Sequence, residues 1–78
     1  MSAVINTWSI ECNHTPDIID RILMQLRKRG MRADRFEYKK ISNEKAECVI
    51  AFEDNPVNAE RIFKNLLRTQ DLINIKRI

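Results

Sequence analysis

Apolar and polar residues alternate along this chain with two different periods, and the change between the periods predicts six elements. Four segments alternate with a period of two, as strands do when one face is buried, and they are 3–12, 31–41, 46–53 and 71–78. Two stretches, 13–31 and 53–70, repeat their apolar residues every three or four positions, which is typical of amphipathic helices. The predicted order is therefore β-α-β-β-α-β.

Both predicted helices have marked ends. Thr15 suits the N-cap of the first helix, Pro16 suits its first position, and Gly30 suits a left-handed residue just after its end. The apolar stripe of this helix comprises Ile18, Ile19, Ile22, Leu23 and Leu26. The second helix begins in the same way, with Asn55 as the cap and Pro56 in the first position.

The strand patterns give three finer predictions. The apolar face changes phase between Ala33 and Phe36, which indicates a bulge or kink there. Residues 42–45 have the composition of a hairpin turn. In the last strand, Ile73 and Ile75 are predicted to point inward together.

This order of elements predicts an α+β, ferredoxin-like βαββαβ domain over residues 1–78. Right-handed crossovers place both helices on one face of a four-stranded antiparallel sheet with the spatial order 4-1-3-2. Strands 1 and 3 would then be antiparallel neighbours. Cys12 and Cys48 should therefore lie close together on the inner face of the sheet.

The charge distribution favours a protein partner at least as much as nucleic acid. The chain has 78 residues and a net charge of +3. Nine basic and four acidic residues lie between Asp20 and Lys45, whereas residues 46–60 hold four acids and no base. A surface with two poles of opposite charge suits a protein with a complementary surface.

Most chemistry-bearing motifs are absent. The sequence has no apolar run of membrane-spanning length, and its first residues lack the features of a secretion signal. We therefore expect a cytoplasmic protein with two reduced cysteines. Cys12 and His14 provide two soft ligands where a metal site needs three or four. We expect no catalytic residues, no metal and no cofactor.

RNA binding is an alternative because RNA-recognition domains share this topology. Such domains stack bases on exposed aromatic residues of strands 1 and 3. In this sequence strand 3 is "AECVIAFE", which has no glycine and places Phe52 in the core phase. RNA binding is accordingly the less favoured function.

Three segments resemble the ACT domain family, and in particular the short regulatory subunits of acetolactate synthase. They are "TPDIIDRILMQLRKRGM" at 15–31, the extended segment after Gly30, and "IFKNLLRTQDLINIKRI" at 62–78. In the last segment, the positions that match the family's ending are Leu66, Asp71, Leu72 and Ile75. Together these segments cover about half of the chain.

The resemblance implies a non-catalytic subunit that binds and activates a large thiamine-diphosphate-dependent catalytic subunit in branched-chain amino-acid biosynthesis. Many such subunits sense a branched-chain amino acid, which sits between the first loop of one protomer and strand 2 of its partner. In this chain the corresponding effector positions are His14, Asp17, Ile18, Arg32 and Ala33. Asp17 replaces a glycine, His14 replaces an asparagine, and Arg32 and Ala33 replace an asparagine–isoleucine pair. These departures argue against amino-acid sensing.

The resemblance and the topology both imply a homodimer. Strand 2 is predicted to form an edge of the sheet, and an edge with unpaired backbone groups invites pairing. The predicted dimer-edge residues are Met31, Arg35, Phe36 and Tyr38. Three functions thus remain open: an activating subunit without strong feedback sensing, a stand-alone ACT homodimer that binds an amino acid, and an RNA-binding domain.

Overall fold

A computed structural model describes residues 3–78 and contains the six elements in the predicted order. They are β1 (Val4–Asn13), α1 (Ile18–Arg27), β2 (Arg35–Lys40), β3 (Lys45–Asp54), α2 (Pro56–Leu67) and β4 (Leu72–Arg77). The strands form one sheet in the order β2-β3-β1-β4, and every neighbouring pair is antiparallel. The predicted ferredoxin-like fold and strand order are confirmed.

The core lies between the inner face of the sheet and the apolar stripes of the two helices. It is built on Trp8, Ile10, Ile50 and Phe52 from the central strands, with Ile22 among the residues that α1 contributes. All of these side chains are almost completely removed from water. Their burial is the main source of stability in a chain of this size, because apolar burial is the dominant favourable contribution to folding.

The two cysteines lie side by side in this core, as predicted. Ile10 is the direct cross-strand partner of Cys48, and Ala46 is the partner of Cys12. Cys12 and Cys48 are therefore diagonal neighbours on the inner face. Both are fully buried free thiols.

Two of the predicted helix ends are confirmed. Gly30 has a φ of +70°, and the N–H groups of Gly30 and Met31 donate to the carbonyls of Arg27 and Leu26, each at 2.9 Å. This is the Schellman arrangement, in which a left-handed residue satisfies the last carbonyls of a helix. At the start of α2, the Asn55 side chain accepts a hydrogen bond from the Asn58 N–H at 2.8 Å.

The predicted start of α1 is wrong by two residues. The helix begins at Ile18, and Thr15 does not cap it. The Thr15 hydroxyl donates instead to the Asp17 carboxylate at 3.2 Å, and the Ile18 N–H donates to the Thr15 carbonyl at 3.4 Å. Residues 16–17 consequently form a turn, and Asp17 occupies the N-cap position without a side-chain capping bond.

The prediction that Ile73 points inward is also wrong. Ile75 is 7% exposed, whereas Ile73 is 43% exposed. Glu11 pairs with Asn74 but Cys12 pairs with Leu72, so the register shifts between these two pairs. Ile73 is therefore an extra residue on β4, and it turns away from the core, as expected at a β-bulge.

The second strand is shorter than predicted. Residues 31–33 lie outside it, Asp34 forms a bend, and the regular strand begins at Arg35. The bend accounts for the phase change between Ala33 and Phe36, and both of these side chains pack against the core. The predicted hairpin turn follows β2, where the Ile41 N–H donates to the Lys45 carbonyl at 2.9 Å.

Candidate functional site

The loop between β1 and α1, residues 14–17, is anchored at its start by backbone hydrogen bonds; we call it the first loop. The His14 N–H donates to the Glu44 carbonyl at 2.7 Å, which ties the first loop to the β2–β3 hairpin. Just before it, the Asn13 N–H donates to the Asp71 carbonyl at 2.8 Å. The start of the first loop is therefore held by bonds to two neighbouring turns.

Asp71 adopts a backbone conformation that few residues other than glycine tolerate. Its φ is +71°, in the left-handed region where Asp and Asn are enriched among non-glycine residues. Its side chain contacts the end of β1 and the first turn of α1, on either side of the first loop. One carboxylate oxygen accepts a hydrogen bond from Asn13 Nδ2 at 3.3 Å, and the other lies 3.6 Å from Arg21 Nη1.

The Asp17 carboxylate stands at the helix start and is engaged by Arg21. Its Oδ2 lies 2.7 Å from Arg21 Nη2, one helical turn later. Arg21 thus links Asp17 to Asp71. All three side chains are partly exposed, so each pair contributes at most about 1 kcal/mol to stability. The main effect of these ion pairs is to hold the Asp17 carboxylate in place. It lies where the positive N-terminal end of α1 would otherwise attract an anion.

His14 links the first loop to β2. Its Nδ1 and the Tyr38 hydroxyl oxygen form a hydrogen bond at 2.7 Å, and the centroids of the two rings are 5.6 Å apart. Burial raises the pKa of the Tyr38 phenol, with the neighbouring thiols Cys12 and Cys48 adding to the shift. Tyr38 is therefore a neutral donor and acceptor at physiological pH.

The two core thiols are poorly suited to chemistry. Burial raises the pKa of Cys12 and raises that of Cys48 to about 12. The thiol, and not the reactive thiolate, is then the dominant form at neutral pH. Cys12 Sγ lies 3.7 Å from the Ala46 carbonyl oxygen, to which it donates. Within residues 3–78, no three His, Cys, Asp or Glu side chains are grouped closely enough to hold a metal ion.

The predicted effector residues fall into two groups at opposite ends of one protomer. His14 and Asp17 follow the end of β1, whereas Arg32 and Ala33 precede the start of β2. Strands β1 and β2 run in the same direction, because each is antiparallel to β3. One protomer therefore cannot bring the two groups together. The fifth residue, Ile18, is fully buried in the core and is not available to a ligand.

The second group lines an open cavity that sequence reasoning did not predict. It has a volume of about 410 Å³ and lies between the end of α1 and the start of β2. Its walls are mostly apolar and include Leu23, Met31, Ala33 and Phe36, and Arg32 also lines it. Residues assigned from the sequence to an effector position and to a dimer edge thus line one cavity.

The β2 edge has its backbone groups free on one side. The bond from the Ile41 N–H to the Lys45 carbonyl shows which opposed residues of β2 and β3 form hydrogen-bonded pairs. Because bonded and non-bonded pairs alternate in antiparallel strands, the N–H and C=O groups of Phe36, Tyr38 and Lys40 point to the open edge. On the outer face of this edge, Arg35 Nη2 lies 2.9 Å from Glu37 Oε1.

Two further observations concern RNA binding and membrane-spanning helices. Phe52, which an RNA-recognition domain would need on its surface, is fully buried. Neither of the two helices in residues 3–78 has the length and hydropathy that a membrane-spanning helix needs.

Comparisons with known proteins give structural matches only. No protein-family model matches the sequence, and no curated protein matches it. The ACT domain of GTP pyrophosphokinase from Chlorobium tepidum is similar in structure, with a TM-score of 0.80 and 11% identity over 100% of this chain and 89% of that chain. An uncharacterized protein from Thermotoga maritima gives a TM-score of 0.77 and 8% identity, over 97% of this chain and 95% of the other.

The regulatory subunit of aspartate kinase from Thermus thermophilus, in its ligand-free form, is a third similar structure. The match has a TM-score of 0.64 and 12% identity, and it covers 97% of this chain but 55% of that chain. At such low identities these similarities show a shared fold. Residues 3–78 thus have the fold of ACT domains.

Proposed function

We propose that this chain is a non-catalytic regulatory subunit that binds and activates the thiamine-diphosphate-dependent catalytic subunit of acetolactate synthase. The observation that carries the proposal is a structural similarity to an ACT domain that extends over the whole chain. The sequence resemblance at 15–31 and 62–78 supports the choice of enzyme. We further propose that residues 1–78 form one domain, that it needs no cofactor, and that it acts in the cytoplasm, in keeping with its two free thiols.

Activation requires a contact surface, whereas feedback sensing requires an open effector loop. In this chain the Asp17 carboxylate lies at the start of α1, where the carboxylate of a free amino acid would approach. Its charge opposes that approach, and Arg21 is already engaged in an ion pair with it. We therefore propose an activator with little or no response to branched-chain amino acids.

Replacement of Asp17 with glycine should open this approach. Isothermal titration of the unmodified chain with valine, leucine or isoleucine is expected to give no measurable heat at millimolar concentration. The Asp17→Gly variant should bind at least about fivefold more tightly, because removal of a like charge at a helix N-terminus is worth about 1 kcal/mol.

Asp20→Gly is the matched control, since it removes another acid from the first turn of α1 without unblocking the loop. It should leave the affinity unchanged. Micromolar binding of valine by the unmodified chain would instead favour the second candidate, a stand-alone ACT homodimer that binds an amino acid. The cavity of about 410 Å³ beside Arg32 is the observation that favours this second candidate.

We propose that two protomers pair through β2, antiparallel and about a two-fold axis. In such a pair, two residues that lie opposite each other must have side chains on the same face of the sheet. Their residue numbers are then both odd or both even, and every opposed pair in one register has the same sum. If Glu37 faced the partner's Glu37, then Arg35 would face the partner's Lys39, and both contacts would be repulsive. If Tyr38 instead faces the partner's Tyr38, then Glu37 of each protomer faces Lys39 of the other. The dimer then contains two contacts between unlike charges. Opposed pairs of unlike charge stabilise a sheet and like pairs destabilise it.

The register centred on Tyr38 also recombines the divided effector positions. Antiparallel pairing places the start of β2 in one protomer, which follows Arg32 and Ala33, beside the end of β2 in the partner, which leads into the hairpin turn that contains Glu44. The Glu44 carbonyl accepts the bond from the His14 N–H within its own chain. The two groups, which lie at opposite ends of one protomer, would then meet across the dimer. This supports the inherited layout of an effector site, closed in this chain by Asp17.

A further inference from the structure

An open groove lies on the helical layer and shares only Arg21 with the site described above. It has a volume of about 480 Å³ and runs between α1 and the end of α2; we call it the helix groove. Its charged residues are Arg21, Lys28, Arg29 and Arg68, and no acidic residue lines it. The groove is thus a continuous basic surface between two helices.

Three of these cations have no acidic partner within residues 3–78. Arg21 is neutralised by Asp17 and Asp71, whereas none of the ion pairs among the described residues includes Lys28, Arg29 or Arg68. Lys28 and Arg68 are the C-cap residues of their helices, where a cation is favourable because the helix dipole is negative there. That local role leaves the charged ends of these side chains free for a partner.

The groove also offers apolar and amide contacts. Met24 lines it and is 51% exposed, one helical turn before Lys28. Gln25 and Gln70 lie beside it and can both donate and accept hydrogen bonds. An exposed methionine among cations and amides is suited to a peptide with acidic and apolar side chains. A compact phosphate would use the cations but leave Met24 uncovered.

We propose that the helix groove binds an acidic segment of the catalytic partner, with carboxylates on Lys28, Arg29 and Arg68 and an apolar side chain on Met24. The naming of that partner rests on the proposed function, but the preference for an acidic peptide does not. The dimer proposed above uses the backbone edge of β2, which involves none of these residues. Both contacts can therefore form at once.

The test compares two double variants with equal changes of charge. The first, Lys28→Glu with Arg68→Glu, reverses charge in the groove. The second, Lys45→Glu with Lys76→Glu, reverses two exposed lysines outside it. Binding to the purified catalytic subunit of acetolactate synthase is measured by titration. The groove variant should weaken binding at least about tenfold and flatten its salt dependence, whereas the control should stay within about twofold.

A second titration separates failure of the groove from failure of the proposed function. The unmodified full-length chain is titrated with a ten-residue glutamate peptide, with pyrophosphate, or with single-stranded RNA, and backbone amide shifts are recorded by NMR. Peptide-induced shifts at Met24, Lys28 and Arg68 support the groove even if the catalytic subunit does not bind. The proposal is overturned if the groove variant binds the catalytic subunit as tightly as the unmodified chain. Groove shifts caused by pyrophosphate or RNA but not by the peptide would also overturn it.

Discussion

Replacement of Phe52 with alanine is expected to lower the free energy of unfolding by about 3–5 kcal/mol. Phe52 is fully buried in β3, and its ring meets the Trp8 ring edge-on with a centroid separation of 4.9 Å. The Trp8 ring also packs edge-on against the Phe63 ring, with a centroid separation of 5.4 Å. Loss of the Phe52 ring would leave a cavity beside Trp8 and remove its aromatic contact with β3.

This loss is large for a chain of 78 residues. At roughly 0.05–0.15 kcal/mol per residue, the total stability is of the order of 4–12 kcal/mol. Urea unfolding followed by fluorescence of the single tryptophan, Trp8, measures the change directly. Ile5→Ala is the control, because Ile5 is also on the sheet but is 73% exposed, and it should change stability by less than about 0.5 kcal/mol. A loss below 1 kcal/mol for Phe52→Ala would contradict the assigned core.

Replacement of Lys39 with glutamate is expected to dissociate the dimer. In the proposed register, Lys39 faces the partner's Glu37 twice per dimer, so the substitution turns two attractive contacts into two repulsive ones. At about 1 kcal/mol for each contact, the dimer loses about 2 kcal/mol and its Kd rises about 30-fold. Sedimentation velocity over a concentration series measures this shift.

The reciprocal exchange tests the register itself. The double variant Glu37→Lys with Lys39→Glu restores unlike charges across the axis, and its Kd should return to within about threefold of the unmodified chain. Substitution of Lys76, an exposed lysine on β4 at the other side of the sheet, should have no effect on the dimer. Failure of the double variant to recover would exclude the register centred on Tyr38. A strict monomer at high concentration for the unmodified chain would exclude the dimer.

The parts of the fold that depend on local pattern could be read from the sequence. Gly30 ends α1 in the left-handed conformation, and Asn55 caps α2, because each follows from the preferences of one residue at one position. The neighbouring placement of Cys12 and Cys48 followed from topology, since strands 1 and 3 must be antiparallel neighbours in this fold.

The errors arose where a distant or competing contact decides the outcome. The Thr15 hydroxyl bonds Asp17 and not the helix backbone, so α1 begins two residues later than predicted. Ile73 leaves the core because the β1–β4 register shifts at Cys12. The period of two within β4 contains no information about this shift.

The sequence predicted where the candidate site lies but not which residues contact one another there. Resemblance placed His14 and Asp17 at the first loop. The bond from His14 to Tyr38 spans 24 positions, and that from Asn13 to Asp71 spans 58. Contacts at such separations depend on how the strands pair, and local patterns do not specify them. The cavity beside Arg32 and the helix groove have the same origin, because each is lined by segments that are separate in sequence.

The proposed activation can be measured as the formation of acetolactate from pyruvate. The purified catalytic subunit of acetolactate synthase is assayed alone, with this chain, and with this chain plus valine. We predict that the chain raises the rate at least about fivefold, a typical size for coupling between protein sites, and that valine leaves the raised rate unchanged. If the chain forms no complex and causes no gain in rate, the proposed function is wrong; if valine suppresses the gain, the proposed closure of the effector site by Asp17 is wrong.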